Sequence, residues 1–416
     1  MTVRPELVET AAVNPPSESR PLPSRLLVLC FSQTVGSIGL GAGAVAGPLL
    51  AATITGSAAY GPLPLGLLVT GAALSALIAT RSMSRWGRAH GLAACYLTAT
   101  AGATLVLTRG MTDLAALMVG SVLLGAGNTG VMLGRYAAAD LVPADRRARA
   151  TSLAVTAVTV GAVAGPALLS PAGSLATALG LPPVAGLYLL AVVAFPVAAI
   201  IGVCVDRVPR RTVEPIFSPR ELLIPHDART KPDRLRPFVI LATANLTMVT
   251  VMGSMPNHLL HQGWDSSAIG VAIGLHVAVM FGPSPLTGEL VRRIGYRLVS
   301  LLGCVMMILT MLLGAGPAGH SWHAGAVSNL GLLIALGFGW NLQLLGGSAW
   351  VIETTPRHLR HRVEGQGELV MGLAAAVGTL GFAGPLLNFG GITALCLVLA
   401  AINIAVAAGF VIDGRR

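Results

Sequence analysis

The feature that most constrains this chain is a recurrence. Apolar runs of about 20 residues return along its whole length, broken by short polar or basic segments. They lie at approximately 26–54, 62–80, 91–108, 114–134, 151–171, 183–204, 237–256, 267–287, 298–316, 325–346, 367–387 and 390–411. A helix of about 20 residues rises ~30 Å, the thickness of a bilayer's hydrocarbon core. Only 11% of the 416 residues are charged, whereas a soluble protein carries about a quarter. A membrane β-barrel would alternate apolar and polar residues in short segments instead. The expectation is an all-α integral membrane protein with about twelve transmembrane helices.

Charge placement orients these helices. Of the 27 Lys and Arg residues, all but Arg109 fall in the two tails or after even-numbered runs. The positive-inside rule then places both termini and every even loop in the cytoplasm, for a multi-pass protein of the cell (plasma) membrane. The net charge of +10 is accounted for by these loops, so it does not point to nucleic acid. Residues 1–25 are polar and proline-rich and read as a disordered cytoplasmic tail rather than a signal peptide. Residues 205–236 read as a basic linker between bundles at 26–204 and 237–411, and 412–416 as a cytoplasmic tail. The five cysteines are scattered through apolar runs, where they read as small buried hydrophobes.

The chain also repeats itself. "TRSMSRWGRA" (80–89) after the second run is answered by "GELVRRIGYR" (288–297) after the eighth. "GAGNTGVMLGRY" (125–136) ends the fourth run, and "GFGWNLQLLGGSAW" (337–350) ends the tenth. "GAVAGP" (161–166) in the fifth run is matched by "LGFAGP" (380–385) in the eleventh. With these paired segments, residues 25–411 resemble the major facilitator superfamily of secondary transporters. The resemblance implies two pseudo-symmetric six-helix bundles (the MFS fold) moving about a central site.

The resemblance also assigns roles. The family's loop motif G-x-x-x-D-R-x-G-R-R, linked to a conformational latch, is matched by Arg85, Gly87 and Arg88 in the first half. Gly288, Arg293, Gly295 and Arg297 match it in the second. Ser84 and Arg292 stand where the family has Asp. Gly161, Gly165 and Pro166 match part of the antiporter motif G-x8-G-x3-G-P-x2-G, with Ser152 and Leu169 at its outer glycines. Gly165–Pro166 and Gly384–Pro385 are candidate helix kinks. Ser121 and Leu124 replace the Arg and Gln of the proton-linked motif R-x-x-Q-G-x-G. The family pattern is therefore drug-exporter-like with degenerate motifs.

Polar residues inside apolar runs are the candidates for function, because the bilayer makes them costly. No acid lies in the middle of a run. His276 is the one titratable side chain near a run's centre, and an unperturbed pKa of about 6.5 suits proton binding near neutrality. It is the candidate for proton coupling, with a neutral histidine between packed helices as the alternative. In the family, the first, fourth, seventh and tenth helices line the cavity. This makes Gln33, Asn128, Asn245, Trp340, Asn341 and Gln343 candidate substrate contacts. Amides and an indole without fixed charge suit a neutral or amphipathic solute; the competing reading is interhelical hydrogen bonding.

Other classes fit less well. No H-E-x-x-H or clustered acids mark a membrane enzyme, and no G-x-x-x-x-G-K-[ST] marks an ATP-driven pump. His258 and His261, with His320 and His323, read as wet histidines rather than a metal site. The expectation is a secondary active transporter of a small organic solute working by alternating access. It is an exporter by its partial antiporter motif, with proton coupling through His276, no cofactor and a monomeric state. The alternatives are an importer or uniporter of the same fold, or a non-transporting membrane sensor or scaffold.

Overall fold

The computed structural model describes residues 23–143, 147–204, 232–315, 326–355 and 360–413. Among these residues there is no β-strand. Ten apolar helical stretches are long enough to span a bilayer, and an eleventh is broken after Ala167. One of the ten, Gln366–Phe410, divides at Gly390 and Gly391, whose backbones are not helical, so the described residues make twelve passes. We number them α1 (Ser24–Thr55), α2 (Pro62–Trp86), α3 (Arg88–Leu105), α4 (Leu114–Asp140), α5 (Arg147–Ala167 with Leu169–Ala178) and α6 (Gly186–Val203). The second six are α7 (Pro232–His261), α8 (Ser266–Ile294), α9 (Tyr296–Ala315) and α10 (Ala326–Thr354), followed by α11 and α12. α11 begins as Arg360–Ala376 and runs through Val377–Ala383 to Gly390; α12 is the rest of Gly384–Asp413.

Local chemistry sets the helix ends. Asp113 and Asp265 cap α4 and α8, accepting from the amides of Ala115 and Ala268 at 2.8 Å each. Side-chain acceptors of this kind satisfy backbone donors that a helix start leaves free. α7 starts at Pro232, a few residues before the apolar run. The expected linker 205–236 therefore overlaps its first turn, and residues 205–231 lie outside the described ones. The tail at 1–22 also lies outside them.

The packing repeats between halves. α3 packs on α4 and α6, α2 on α4, and α1 on α5 and α6; correspondingly α9 packs on α10 and α12, α8 on α10, and α7 on α11 and α12. Across the halves, α5 meets α8 and α11 meets α2, again an equivalent pair. The repeat holds to single residues. Gly87 and Gly295 have φ +93° with ψ 160° and φ +84° with ψ 155°, a region that effectively only glycine enters. Gly87 N–H bonds the Met83 carbonyl at 3.0 Å and Gly295 N–H bonds that of Val291 at 2.9 Å. This backbone need explains the glycine in both arginine-rich turns.

Small residues let the helices approach closely, as in other membrane bundles. A Cβ on Gly71 would lie 2.0 Å from the Val122 carbonyl oxygen, and one on Gly125 2.3 Å from that of Leu68. A Cβ on Gly161 would lie 2.1 Å from the Thr34 carbonyl oxygen. Between the halves, the tightest approaches all lie toward the end carrying the α1–α2 and α7–α8 turns, here called the loop end. Cβ atoms would fall 2.1 Å from Thr379 Oγ1 at Gly66, 2.3 Å from the Pro166 carbonyl at Gly270 and 2.9 Å from the Ala59 carbonyl at Gly384. Asn257 Nδ2 donates to the Pro48 carbonyl at 2.8 Å across this seam. The two halves are thus sealed at the loop end.

Candidate substrate site

α4 shows how one helix serves two purposes. Thr129 Oγ1 donates to the Ala72 carbonyl of α2 at 2.7 Å, which fixes the rotation of α4. Its neighbour Asn128 then points elsewhere. Val119, 54% exposed, lies nine residues earlier, or two and a half turns at about 3.6 residues per turn. Asn128 is therefore on the opposite face from this outward-facing valine. On that inner face Ser121, Leu124 and Val131 are all buried. Asn128 is half-buried and its amide makes no hydrogen bond among the described residues, so it meets an interior space with an unpaired donor and acceptor.

α10 repeats the arrangement. Asn341 clasps α8: its Nδ2 donates to the Met280 carbonyl at 2.7 Å and to Ser284 Oγ at 3.0 Å, and its Oδ1 accepts from Thr287 Oγ1 at 2.6 Å. Ala72 and Met280 share the sequence spacing of Gly87 and Gly295, while Thr129 and Asn341 share that of Gly125 and Gly337. The two clasps are equivalents. The residues preceding them, Asn128 and Trp340, are consequently equivalents as well.

Trp340 leads a small cluster. Its Nε1–H points to Asn245 Oδ1 of α7 at 3.4 Å, and Asn245 Nδ2 donates to the Met371 carbonyl of α11 at 3.0 Å. Phe281 of α8 packs T-shaped against the indole, with centroids 5.7 Å apart. Asn245 and Phe281 are half-buried. The cluster joins four helices of the second half through one amide and two rings.

The structure does not bring the other expected contacts to this place. Gln343 is fully buried and its Nε2 approaches Cys304 Sγ of α9 at 3.1 Å. Gln33 is fully buried against Gly134 of α4, beside the Tyr96 hydroxyl. Neither amide atom of Gln33 completes a hydrogen bond. His276 is also fully buried, at the α8–α10 crossing. Its Nδ1 lies 2.7 Å from the Leu333 carbonyl, which can only accept, so Nδ1 carries a proton. Nε2 is buried without a partner. A Cβ on Gly337 would lie 2.9 Å from the His276 carbonyl, the counterpart of Gly125 against Leu68.

The motif residues divide similarly. Arg85 and Arg88 flank Gly87 at the α2–α3 turn. In the second copy, the side chain of Glu289, next to Gly288, accepts from Arg292 Nε and Arg293 Nε at 2.7 Å each. An acid one turn before the motif's Asp position thus pairs with both arginines on the same helix. Arg297 lies over the Trp350 ring, 5.4 Å from its centroid. In α5 a bend of 52° follows Gly165–Pro166 directly. Gly384–Pro385 instead follows a π-helical turn, Val377–Ala383, and the main break in this region comes at Gly390–Gly391.

Several residues went unnoticed in the sequence. Phe281 looked like any apolar residue. Asn257 lies just past the end of an apolar run, where a polar residue carries no signal. Asn403 of α12 ties to Thr247 Oγ1 of α7 at 2.9 Å. Glu289, by contrast, reads in the sequence as an acid at a helix end, and its i, i+3 and i, i+4 spacing to the two arginines makes the pairing legible. Among the described residues no Asp, Glu, Lys or Arg is fully buried, and no group of three potential metal ligands occurs.

Among the described residues, twelve helical passes in two equivalent sets make a polytopic membrane bundle of paired six-helix halves. Residues 29–383 match the family model of the Major Facilitator Superfamily, and the chain belongs to that superfamily. It is 34% identical over 384 residues to the uncharacterized MFS-type transporter YddS of Bacillus subtilis, covering 88% of this chain and 85% of that protein. It is 27% identical over 380 residues to the riboflavin transporter RfnT of Brucella anthropi, covering 88% and 89%. In fold it is similar to a bacterial homologue of the lysosomal transporter Spinster in an inward-facing, occupied conformation, with TM-score 0.73, 15% identity and coverage of 94% and 96%. The nucleoside transporter NupG gives TM-score 0.73 at 14% identity, covering 93% and 99%. The chain is a secondary transporter and not an enzyme.

Proposed function

We propose that this transporter exports a small, uncharged or amphipathic organic solute from the cytoplasm, using a site between Asn128 and the Asn245–Trp340–Phe281 cluster. The observation that carries the reading is the unpaired, half-buried amide of Asn128 on the inner face of α4. A polar group held free in a membrane bundle is costly unless a solute or water uses it. Among the described residues no buried Asp, Glu, Lys or Arg stands beside it, which matches a neutral solute; the Brucella relative is named for one, riboflavin. In this reading Asn341 and Gln343 serve packing.

The arginine-rich turns support a reading in which the end opposite the seal faces the cytoplasm of a plasma-membrane protein, with both termini on that side. The described state is then inward-facing. Export follows the partial antiporter motif, whose Gly161 and Gly165 set α5 tightly on α1 and whose Pro166 precedes the bend. Protons supply the drive through His276, and the monomer is the working unit.

The test uses labelling of the intact protein in cells and inside-out vesicles. Cys204, the exposed cysteine at the end of α6, reacts with an impermeant maleimide only in inside-out vesicles. In a C204S background, N128C reacts from that same side. Labelling of Cys204 from outside cells overturns the orientation, and an unreactive N128C overturns the site.

A further inference from the structure

The proposed function leaves the chemistry of the solute open. With the site placed as proposed, a reading on which the solute class rests, the paired positions Asn128 and Trp340 narrow that chemistry. Thr129 and Asn341 each commit a side chain to a carbonyl of the neighbouring helix, 2.7 Å away in both cases. These clasps fix the rotation of α4 and α10. The preceding residue on each helix is turned by about 100°, away from the clasp and, on α4, away from the outer surface. The repeat relates the two positions, and with the site placed as proposed the solute lies between them. One carries a carboxamide and the other an indole.

The two groups read different parts of a molecule. The Asn128 amide has a donor and an acceptor side by side, neither used. That pair matches a ring edge that presents an acceptor beside an N–H, as in a lactam or imide, through two parallel hydrogen bonds. On the other side the half-buried Phe281 ring packs T-shaped at 5.7 Å against Trp340, whose indole is itself buried. Asn245 holds the indole N–H, which fixes the plane. Aromatic faces favour flat π-systems. No buried Asp, Glu, Lys or Arg among the described residues stands by to pair a charge, and taking an unpaired ion there is strongly unfavourable.

We infer that the solute is a planar, uncharged heteroaromatic compound whose lactam- or imide-type edge is read by Asn128 and whose ring rests on Phe281, which the buried Trp340 backs. Asn128 is the specificity-determining residue for the edge, and Phe281 for the ring.

The purified full chain in nanodiscs at pH 6.5 provides the test, with ligand fluorescence as the readout. The probes are lumichrome, a flat imide; 1,3-dimethyl-lumichrome, in which both ring N–H groups are blocked; and 9-anthracenemethanol, flat without such an edge. Lumichrome is expected to bind saturably, at least about tenfold more tightly than its dimethyl derivative. N128A should weaken lumichrome about tenfold and leave the dimethyl compound unchanged, removing the preference. F281A should weaken all three probes by similar factors. Thermal midpoints show that each variant is folded; N128A breaks no hydrogen bond. The inference is overturned if lumichrome does not bind saturably, if N128A keeps the preference, or if F281A binds every probe as the parent does. N128C labelling that succeeds alongside such a result would leave the transport site standing and remove only the solute class.

Discussion

The seal at the loop end should be held by one hydrogen bond that can be cut without touching the substrate site. Asn257 is 2% exposed and donates to the Pro48 carbonyl at 2.8 Å, from α7 to α1 across the halves. Alternating access requires the halves to part at this end, so the bond exists in one state and not the other. In N257A the closed state loses its cross-half bond to a carbonyl that also serves its own helix. The deficit is about 0.5–1.5 kcal/mol, and the open state does not bear it. The ratio of the two states should therefore move about 2- to 12-fold toward loop-end opening.

A second perturbation reaches the same bond from another side. A Cβ on Gly61 would sit 2.4 Å from Asn257 Nδ2, while the Gly61 backbone, at φ −53° and ψ −45°, accepts alanine. G61A should shift the ratio in the same direction, and N257A/G61A should shift it by less than the two effects combined. T53A removes a bond within α1 from an exposed threonine and serves as the control. Spin labels at Thr112 and Ser267, exposed positions at the loop end of the two halves, report the separation in a C204S background by pulsed electron resonance. N257A should enlarge the long-distance population and T53A should not. Identical distance distributions for the parent and N257A would refute the latch.

Other perturbations separate packing, backbone and coupling. G71A forces a Cβ to within 2.0 Å of the Val122 carbonyl and should cost about 1–3 kcal/mol by overpacking, read as a lower melting midpoint. G288A meets open space and should be neutral or gain about 0.5–1 kcal/mol of helix propensity; a midpoint lowered as far as in G71A would remove the close-crossing argument. G295A places a side chain at φ +84°, ψ 155° and should cost about 1–3 kcal/mol; an unchanged midpoint would show that this turn tolerates a Cβ. H276Q should lose at least about tenfold of pH-gradient-driven accumulation in vesicles while solute exchange without a gradient persists. Full gradient-driven flux would take His276 out of the coupling.

The bilayer decides how much of this molecule is legible in its sequence. Hydrocarbon thickness sets run length, and anionic leaflets sort arginines, so the passes and the paired turns at Gly87 and Gly295 were legible from one chain. The site was legible only in part. Asn128 and Thr129 are adjacent polar residues on one helix, as are Trp340 and Asn341, and nothing in their chemistry says which faces a neighbour. The choice is made by acceptors that every sequence possesses: the carbonyls of Ala72 and Met280, which reach α4 and α10 only once the helices have packed. Close packing in turn depends on Gly71, Gly125 and Gly337, whose missing Cβ atoms bring backbone near enough for a short side chain to clasp. The glycines that a propensity scale counts as helix weakeners thus set the rotation of α4 and α10. That rotation decides which polar residue ties to the neighbouring helix and which turns away from it.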